Sequence, residues 1–148
     1  FGYSKNKKTT PFKSFSGNSL SSFLNIINVL ICTVPLTPQT KNLLNKNFFQ
    51  KLKNQTYLIN VSRGEVQVEK DIIEAINKGK LSGAFLDVFE KEPLPKNSPL
   101  WSHPKIKITP HIASLSYSDE GVRQVMENFE RLNKNQPLLY VVDRKKMY

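Results

Sequence analysis

Arg63, Glu92 and His111 are a fixed cation, a carboxylate and an imidazole, and each closes or follows a short apolar run. The runs are Tyr57-Leu-Ile-Asn-Val-Ser-Arg63-Gly64, Gly83-Ala-Phe-Leu-Asp87-Val-Phe-Glu-Lys-Glu92-Pro93 and Ile106-Lys-Ile-Thr-Pro110-His111-Ile112. Such a trio can assist the reduction of a carbonyl by an external hydride donor. Hydride arriving at the carbon leaves negative charge on the oxygen, and a proton must be delivered there. An imidazole can supply it near neutral pH, and a carboxylate beside the ring favours its charged form. A guanidinium offers a planar fork that grips a substrate carboxylate in two bonds and polarises the adjacent carbonyl.

Each residue also has a plainer explanation. Arg63 alone could salt-bridge a loop. His111 alone could be a satisfied histidine at a strand end, stiffened by Pro110. Glu92, in a run with Glu90, could be one of a charged pair on a solvated loop. Asp87 lies inside the apolar stretch 84–89, where a carboxylate is costly unless bonded. It either accepts from a ligand amide or caps neighbouring backbone. His103, in Trp101-Ser-His-Pro104, is a loop residue with no assigned chemistry. No metal site is expected.

For the three groups to meet, their runs must be parallel strands delivering C-terminal ends to one sheet edge. The pattern supports this. Strands are expected near 1–3, 12–15, 29–34, 56–61, 83–88 and 105–109, and the run 29–34 suits a strand buried on both faces. Helices are expected over 19–27, from Asn45 to about 52, over 69–77 and over 116–133. Asn45 is a good N-cap, with Leu44 and Phe49 placed for a hydrophobic staple. Ile72, Ile73 and Ile76 face inward on the third helix, and Gly79 suits its left-handed C-cap. Val122, Val125, Met126, Phe129 and Leu132 make an apolar stripe on the fourth, which Asn135 and Pro137 stop. Alternating strands and helices with short connections predict an open α/β sheet.

The chain has 148 residues, 39% of them hydrophobic, and a net charge of +10. That is one domain, or part of a larger one. The lysines are scattered and no recognition motif accompanies them, so a solvated surface is favoured and no nucleic-acid partner is expected. The single Cys32 sits in an apolar run and fits a reducing, cytoplasmic setting. No run approaches ~20 apolar residues, so no membrane partner is expected.

In combination, Val34-Pro-Leu-Thr-Pro-Gln-Thr40, Leu58-Ile-Asn-Val-Ser-Arg-Gly64, residues 83–93 and Thr109-Pro-His-Ile-Ala-Ser114 resemble the D-isomer-specific 2-hydroxyacid dehydrogenases. Ile-Ala-Ser after the histidine, and Val141-Val-Asp-Arg144, look most like the glyoxylate/hydroxypyruvate reductase branch. The resemblance implies that Arg63 binds the substrate carboxylate and keto oxygen. It implies that His111 is the general acid/base and that Glu92 holds and charges it. Asp87 would contact the nicotinamide carboxamide. Pro35, Leu36, Thr37, Ser62 and Ala113, with Arg63 and His111, would line the cofactor groove, partly through backbone. Ser4-Lys5-Asn6-Lys7 aligns with the turn that holds the adenine ribose. Being hydroxylic and basic rather than acidic, it suits a 2′-phosphate, so NADP is favoured over NAD.

One departure is large. The six glycines stand at 2, 17, 64, 79, 83 and 121, and no three make G-x-G-x-x-G. The chain therefore reads as a C-terminal piece beginning after the first strand of the cofactor domain. The expected fold is a partial Rossmann-type doubly wound parallel sheet lacking its first strand and Gly-rich loop, with two unpaired sheet edges. Residues 1–133 would be the incomplete NAD(P)-binding domain, and 134–148 a tail returning to the substrate domain. The resemblance implies reduction of a small 2-oxo acid by a homodimeric parent protein, with this chain inactive alone. The alternative is a non-catalytic dinucleotide-sensing module of the same fold.

Overall fold

The computed structural model describes residues 1–7, 9–114 and 118–145. They divide into two compact units, Phe1–His111 and Ile112–Tyr148.

In the first unit, β1 (Gly2–Ser4) pairs in parallel with β2 (Ser14–Ser16). The helix α1 (Leu20–Leu24) follows a 3-10 turn over Gly17–Ser19. It is shorter than the expected 19–27, because Ile26 N already bonds Phe23 O in a tighter turn. A separate parallel sheet has the order β3 (Val29–Cys32), β4 (Thr56–Asn60), β5 (Leu81–Leu86) and β6 (Ile106–Ile108). Among the described residues β1 pairs only with β2, and β3 only with β4, so each has one edge with no partner strand, as β2 and β6 do. Between β1 and β3 lies a cavity of about 770 Å³, lined by Tyr3, Leu20, Ile27, Val29 and Ile31 among others.

The helices α2 (Lys46–Gln50) and α3 (Glu69–Asn77) share one buried cluster with the sheet. Leu30, Leu58, Ala84 and Leu86 point into it, along with Phe49, Ile72 and Ile76. Asn45 caps α2, its Oδ1 accepting from Phe48 N at 3.1 Å, while Leu44 and Phe49 are both buried as the staple requires. The helix stops two residues early, since Leu52 N bonds Phe49 O in a tighter turn. Gly79 ends the α3 segment with φ 73, a conformation that glycine adopts without steric cost.

The expectation that residues 29–34 are buried on both faces fails. Leu30 and Cys32 are buried, but Val29 is 45% and Ile31 59% exposed. Registry explains the pattern. Val29 is paired with Tyr57, and Ile31 with Ile59 and through it Phe85, so these residues share the opposite face of the sheet. Tyr57 and Phe85 are exposed there too.

In the second unit α4 (Ser118–Asn133) buries none of its residues. Its stripe of Val122, Val125, Met126, Phe129 and Leu132 is exposed rather than packed. The expected first residues of this helix, 116 and 117, lie outside the described residues. Asn128 holds the tail by two bonds, Nδ2 to Leu139 O at 3.1 Å and Oδ1 from Leu139 N at 2.8 Å. Among the described residues no helix is long and apolar enough to cross a membrane.

Candidate active site

Strands β4, β5 and β6 are parallel neighbours, so the loops that follow them emerge at one edge. Arg63 lies in the loop after β4, His111 follows β6, and Glu92 lies in the loop after β5. His111 Nδ1 and Glu92 Oε2 are 2.8 Å apart, both partly exposed. The other carboxylate oxygen, Oε1, accepts from Phe89 N at 3.1 Å. Burial pushes the Glu92 carboxyl up. The bonds from the His111 ring and the Phe89 amide, helped by the imidazole charge, outweigh it and hold the carboxyl below its usual range, against opposition from Asp87.

Backbone geometry aims the imidazole. His111 has φ 55, the left-handed region that costs a non-glycine residue about 1 kcal/mol or more. Its amide donates to both Asp87 O (2.8 Å) and Thr109 O (3.1 Å), which holds that turn against the end of β5. Strain retained by such bonds is common where a side chain must be presented in one direction. Asp87 itself is buried, and its Oδ1 accepts from Thr109 Oγ1 at 2.5 Å. Thr109 is a partner that reading along the sequence did not single out.

Arg63 is exposed, with Nη1 donating to Ser62 O at 2.7 Å. Its loop is pressed against the Glu92 loop. A Cβ on Gly64 would stand 1.7 Å from Phe89 O, so only glycine fits. Ser62 is buried and its hydroxyl turns inward, donating to Asn60 Oδ1 at 2.7 Å and lying 3.5 Å from Cys32 Sγ. Any lining role for Ser62 in a groove therefore falls to its backbone.

Beyond β3, Pro35, Leu36 and Thr37 begin a tight turn. Thr40 Oγ1 donates to Pro35 O at 2.6 Å, and Thr37 N donates to Thr40 Oγ1 at 2.8 Å. Pro35 is exposed, Leu36 half-buried and Thr37 buried. Ser4 Oγ donates to Asn6 O at 2.6 Å, closing the turn after β1, and Lys5 lines the cavity beside it. Ala113 belongs to the second unit.

Sequence reasoning overlooked two further features. Glu90 is more than a solvated loop charge: its Oε1 accepts from Glu69 N (2.6 Å), while Glu90 N donates to Glu69 Oε1 (2.8 Å). Each carboxylate caps the other's backbone, which supplies α3 with the N-terminal acceptor that Val68 cannot offer. Burial, with repulsion from Glu90, pushes the Glu69 carboxyl up despite the backbone bond. Gln67 is wholly buried. The one signal in the sequence was a polar residue between Val66 and Val68, with Glu65 and Glu69 on either side.

The profile of the D-isomer specific 2-hydroxyacid dehydrogenase NAD-binding domain matches residues 1–113. Glyoxylate/hydroxypyruvate reductase A of Escherichia fergusonii is 41% identical over 99% of the chain, and that of Klebsiella pneumoniae strain 342 is 39% identical. The chain spans 47% of the length of each. A solved probable 2-hydroxyacid dehydrogenase from Rhizobium etli, in complex with NADP, HEPES and L(+)-tartaric acid, superposes with a TM-score of 0.91 at 38% identity. An NADPH-dependent glyoxylate/hydroxypyruvate reductase from Sinorhizobium meliloti, in complex with NADP and sulfate, gives 0.94 at 35%. Both comparisons cover 99% of this chain and 48% of the solved one. By the profile match over most of its length, this chain belongs to the D-isomer-specific 2-hydroxyacid dehydrogenase family.

Proposed function

We propose that the protein to which this chain belongs reduces a small 2-oxo acid, of the glyoxylate or hydroxypyruvate kind, to the D-2-hydroxy acid, using NADPH in preference to NADH. The observation that carries the reading is the 2.8 Å His111–Glu92 pair at the sheet edge from which the Arg63 loop also emerges. The relatives named above support the substrate class and the cofactor preference.

The residues present suit the nicotinamide end of such a cofactor. Asp87, buried at the end of β5 and already accepting from Thr109, is an acceptor for a carboxamide N–H. The turn at Pro35, Leu36 and Thr37 and the backbone at Ser62 would line the groove. Ser4 and Lys5 would meet the 2′-phosphate. The chain has no G-x-G-x-x-G for the pyrophosphate, so it is expected to bind dinucleotide weakly by itself. When bound, the cofactor supplies hydride to the carbonyl carbon.

Arg63 grips the substrate carboxylate and polarises the keto oxygen. His111 has Nδ1 committed to Glu92, which leaves Nε2 to give its proton to the oxygen as charge grows there. Glu92 keeps the ring oriented through the bond to Nδ1. The complete protein is read as a cytoplasmic homodimer.

The test is NADPH oxidation by the complete protein with glyoxylate and hydroxypyruvate. Turnover abolished by His111→Ala supports the reading. Absence of turnover with any small 2-oxo acid would overturn it, in favour of a dinucleotide-sensing module.

A further inference from the structure

Gln67 is wholly buried and lies between the two loops that bear the candidate catalytic groups. Its Nε2 donates to Val88 O at 3.0 Å, and its Oε1 accepts from Asn60 Nδ2 at 2.8 Å. The orientation of both amides is fixed by backbone at either end. Asn60 Oδ1 accepts from Ser62 N at 3.0 Å, a group that can only donate. That turns Asn60 Nδ2 toward Gln67. The Gln67 Nε2 must then face Val88 O, a group that can only accept.

Val88 O and Phe89 N–H belong to one peptide unit. They are coplanar and point in opposite directions. The oxygen is held by Gln67, and the N–H is donated to Glu92 Oε1 at 3.1 Å. Glu92 Oε2 in turn meets His111 Nδ1. A continuous chain of polar contacts therefore runs from the Arg63 loop through Asn60, Gln67 and a single peptide to the imidazole. The contact of Gly64 with the Phe89 carbonyl brings the same two segments together independently.

We propose that Gln67 is a positioning residue: by holding the Val88–Phe89 peptide, it aims the Phe89 amide at Glu92 and so fixes Glu92 against His111. Its effect on catalysis rests on the reductase reading, but its effect on Glu92 does not. A buried side chain that neither touches substrate nor ionises thus controls the dyad. Bonds in such a row also polarise one another, so donation to Val88 O strengthens donation from Phe89 N. The titratable groups facing Glu92 are His111 and Asp87. Glu69 and Glu90 are engaged with each other.

The experiment is heteronuclear NMR on the labelled chain. In the unsubstituted protein, scalar couplings across hydrogen bonds are expected between Gln67 Nε2 and the Val88 carbonyl carbon, and between Phe89 N and Glu92 Cδ. Absence of either would overturn the proposal, whether or not any variant folds. Gln67→Met keeps the bulk and removes the donor. It should raise the Glu92 titration midpoint, since the released peptide weakens the Phe89 bond to the ionised carboxylate. An unmoved Glu92 midpoint in a folded Gln67→Met chain would also overturn it. In the complete protein the same variant should lower kcat about 10-fold with KM within twofold, since Arg63 still holds the substrate. A change in KM alone would refute the positioning role. Inactivity of the unsubstituted protein would instead count against the reductase reading and leave the couplings standing.

Discussion

Gly64→Ala places the sharpest demand on the site. An alanine Cβ at this position stands 1.7 Å from Phe89 O, 2.0 Å from Phe89 C and 2.7 Å from Glu90 N. Ordinary contact needs about 3.5 Å, so the two segments must part by about 1.8 Å. No rotamer can absorb this, because both partners are backbone. Parting them stretches the bond from Gln67 to Val88 O, and with both groups buried its loss costs about 1–3 kcal/mol. Overpacking adds about 1–3 kcal/mol more. The expected loss is about 4 kcal/mol, a large share of the ~5–15 kcal/mol that holds a domain together. Urea unfolding followed by the fluorescence of Trp101, the single tryptophan, reads the first unit. Gly17→Ala is the control. It has φ 54 and nothing within 4 Å, so only backbone strain of about 1 kcal/mol applies. If Gly64→Ala unfolds within about 0.5 kcal/mol of the unsubstituted chain, the close approach of the Arg63 and Glu92 loops is wrong, and the account of the site with it.

Asn45→Ala should cost about 1 kcal/mol in the same assay, through loss of the cap on Phe48 N. The Glu92 carboxyl is held below its ordinary value of 4.5, so its contribution to stability is present above about pH 4.5 and is lost as pH falls through the lower folded value. The stability difference between the unsubstituted chain and Glu92→Gln should therefore shrink on acidification; a difference constant from pH 6 to 3 would contradict the His111 and Phe89 bonds. Glu69 has the opposite sign. Its carboxyl is raised, so its contribution is present below pH 4.5 and is lost as pH rises through the folded value. Glu69→Gln keeps an acceptor for Glu90 N and should gain stability relative to the unsubstituted chain as pH rises; the same urea midpoints, read at pH 4 and pH 7, check this. In the complete protein, His111→Gln should lower kcat for 2-oxo acid reduction about 10²–10⁴-fold. Arg63→Lys should chiefly raise KM, since a lysine cannot make the paired bond.

Strands and the cap were legible because their determinants are local. An N-cap needs one side chain and the amide three residues on, and Asn45 with Leu44 and Phe49 announces both. The burial of β3 was misjudged for the converse reason. A run of apolar residues reports what a strand could bury, not what covers it, and Val29 and Ile31 lie on an exposed face. The α4 stripe repeats the lesson, since its helical period is plain while none of its residues is buried. That β1 and β3 lack a strand on one side among the described residues was foreseeable, because glycine spacing is a sequence property. Glu90 and Gln67 were not. Both work through backbone groups distant in the chain, Glu69 N and Val88 O, which no side-chain pattern encodes.

That contrast bears on how the site is built. The residues that sequence reasoning found are those whose side chains would do chemistry. The residues it missed bond to main chain, Gln67 to Val88 and Glu90 to Glu69, and Gly64 adds a close approach to Phe89. All three act on the few residues between β5 and Glu92. A dyad with both partners partly exposed gains little from Coulomb attraction alone, because water screens it and free side chains lose entropy on pairing. Fixing the backbone beneath Glu92 removes much of that entropy loss before the imidazole arrives. The 2.8 Å bond to His111 then follows from buried geometry rather than from the strength of a surface ion pair. Disturbing the buried glutamine should accordingly weaken the dyad more than removing any exposed charge around it.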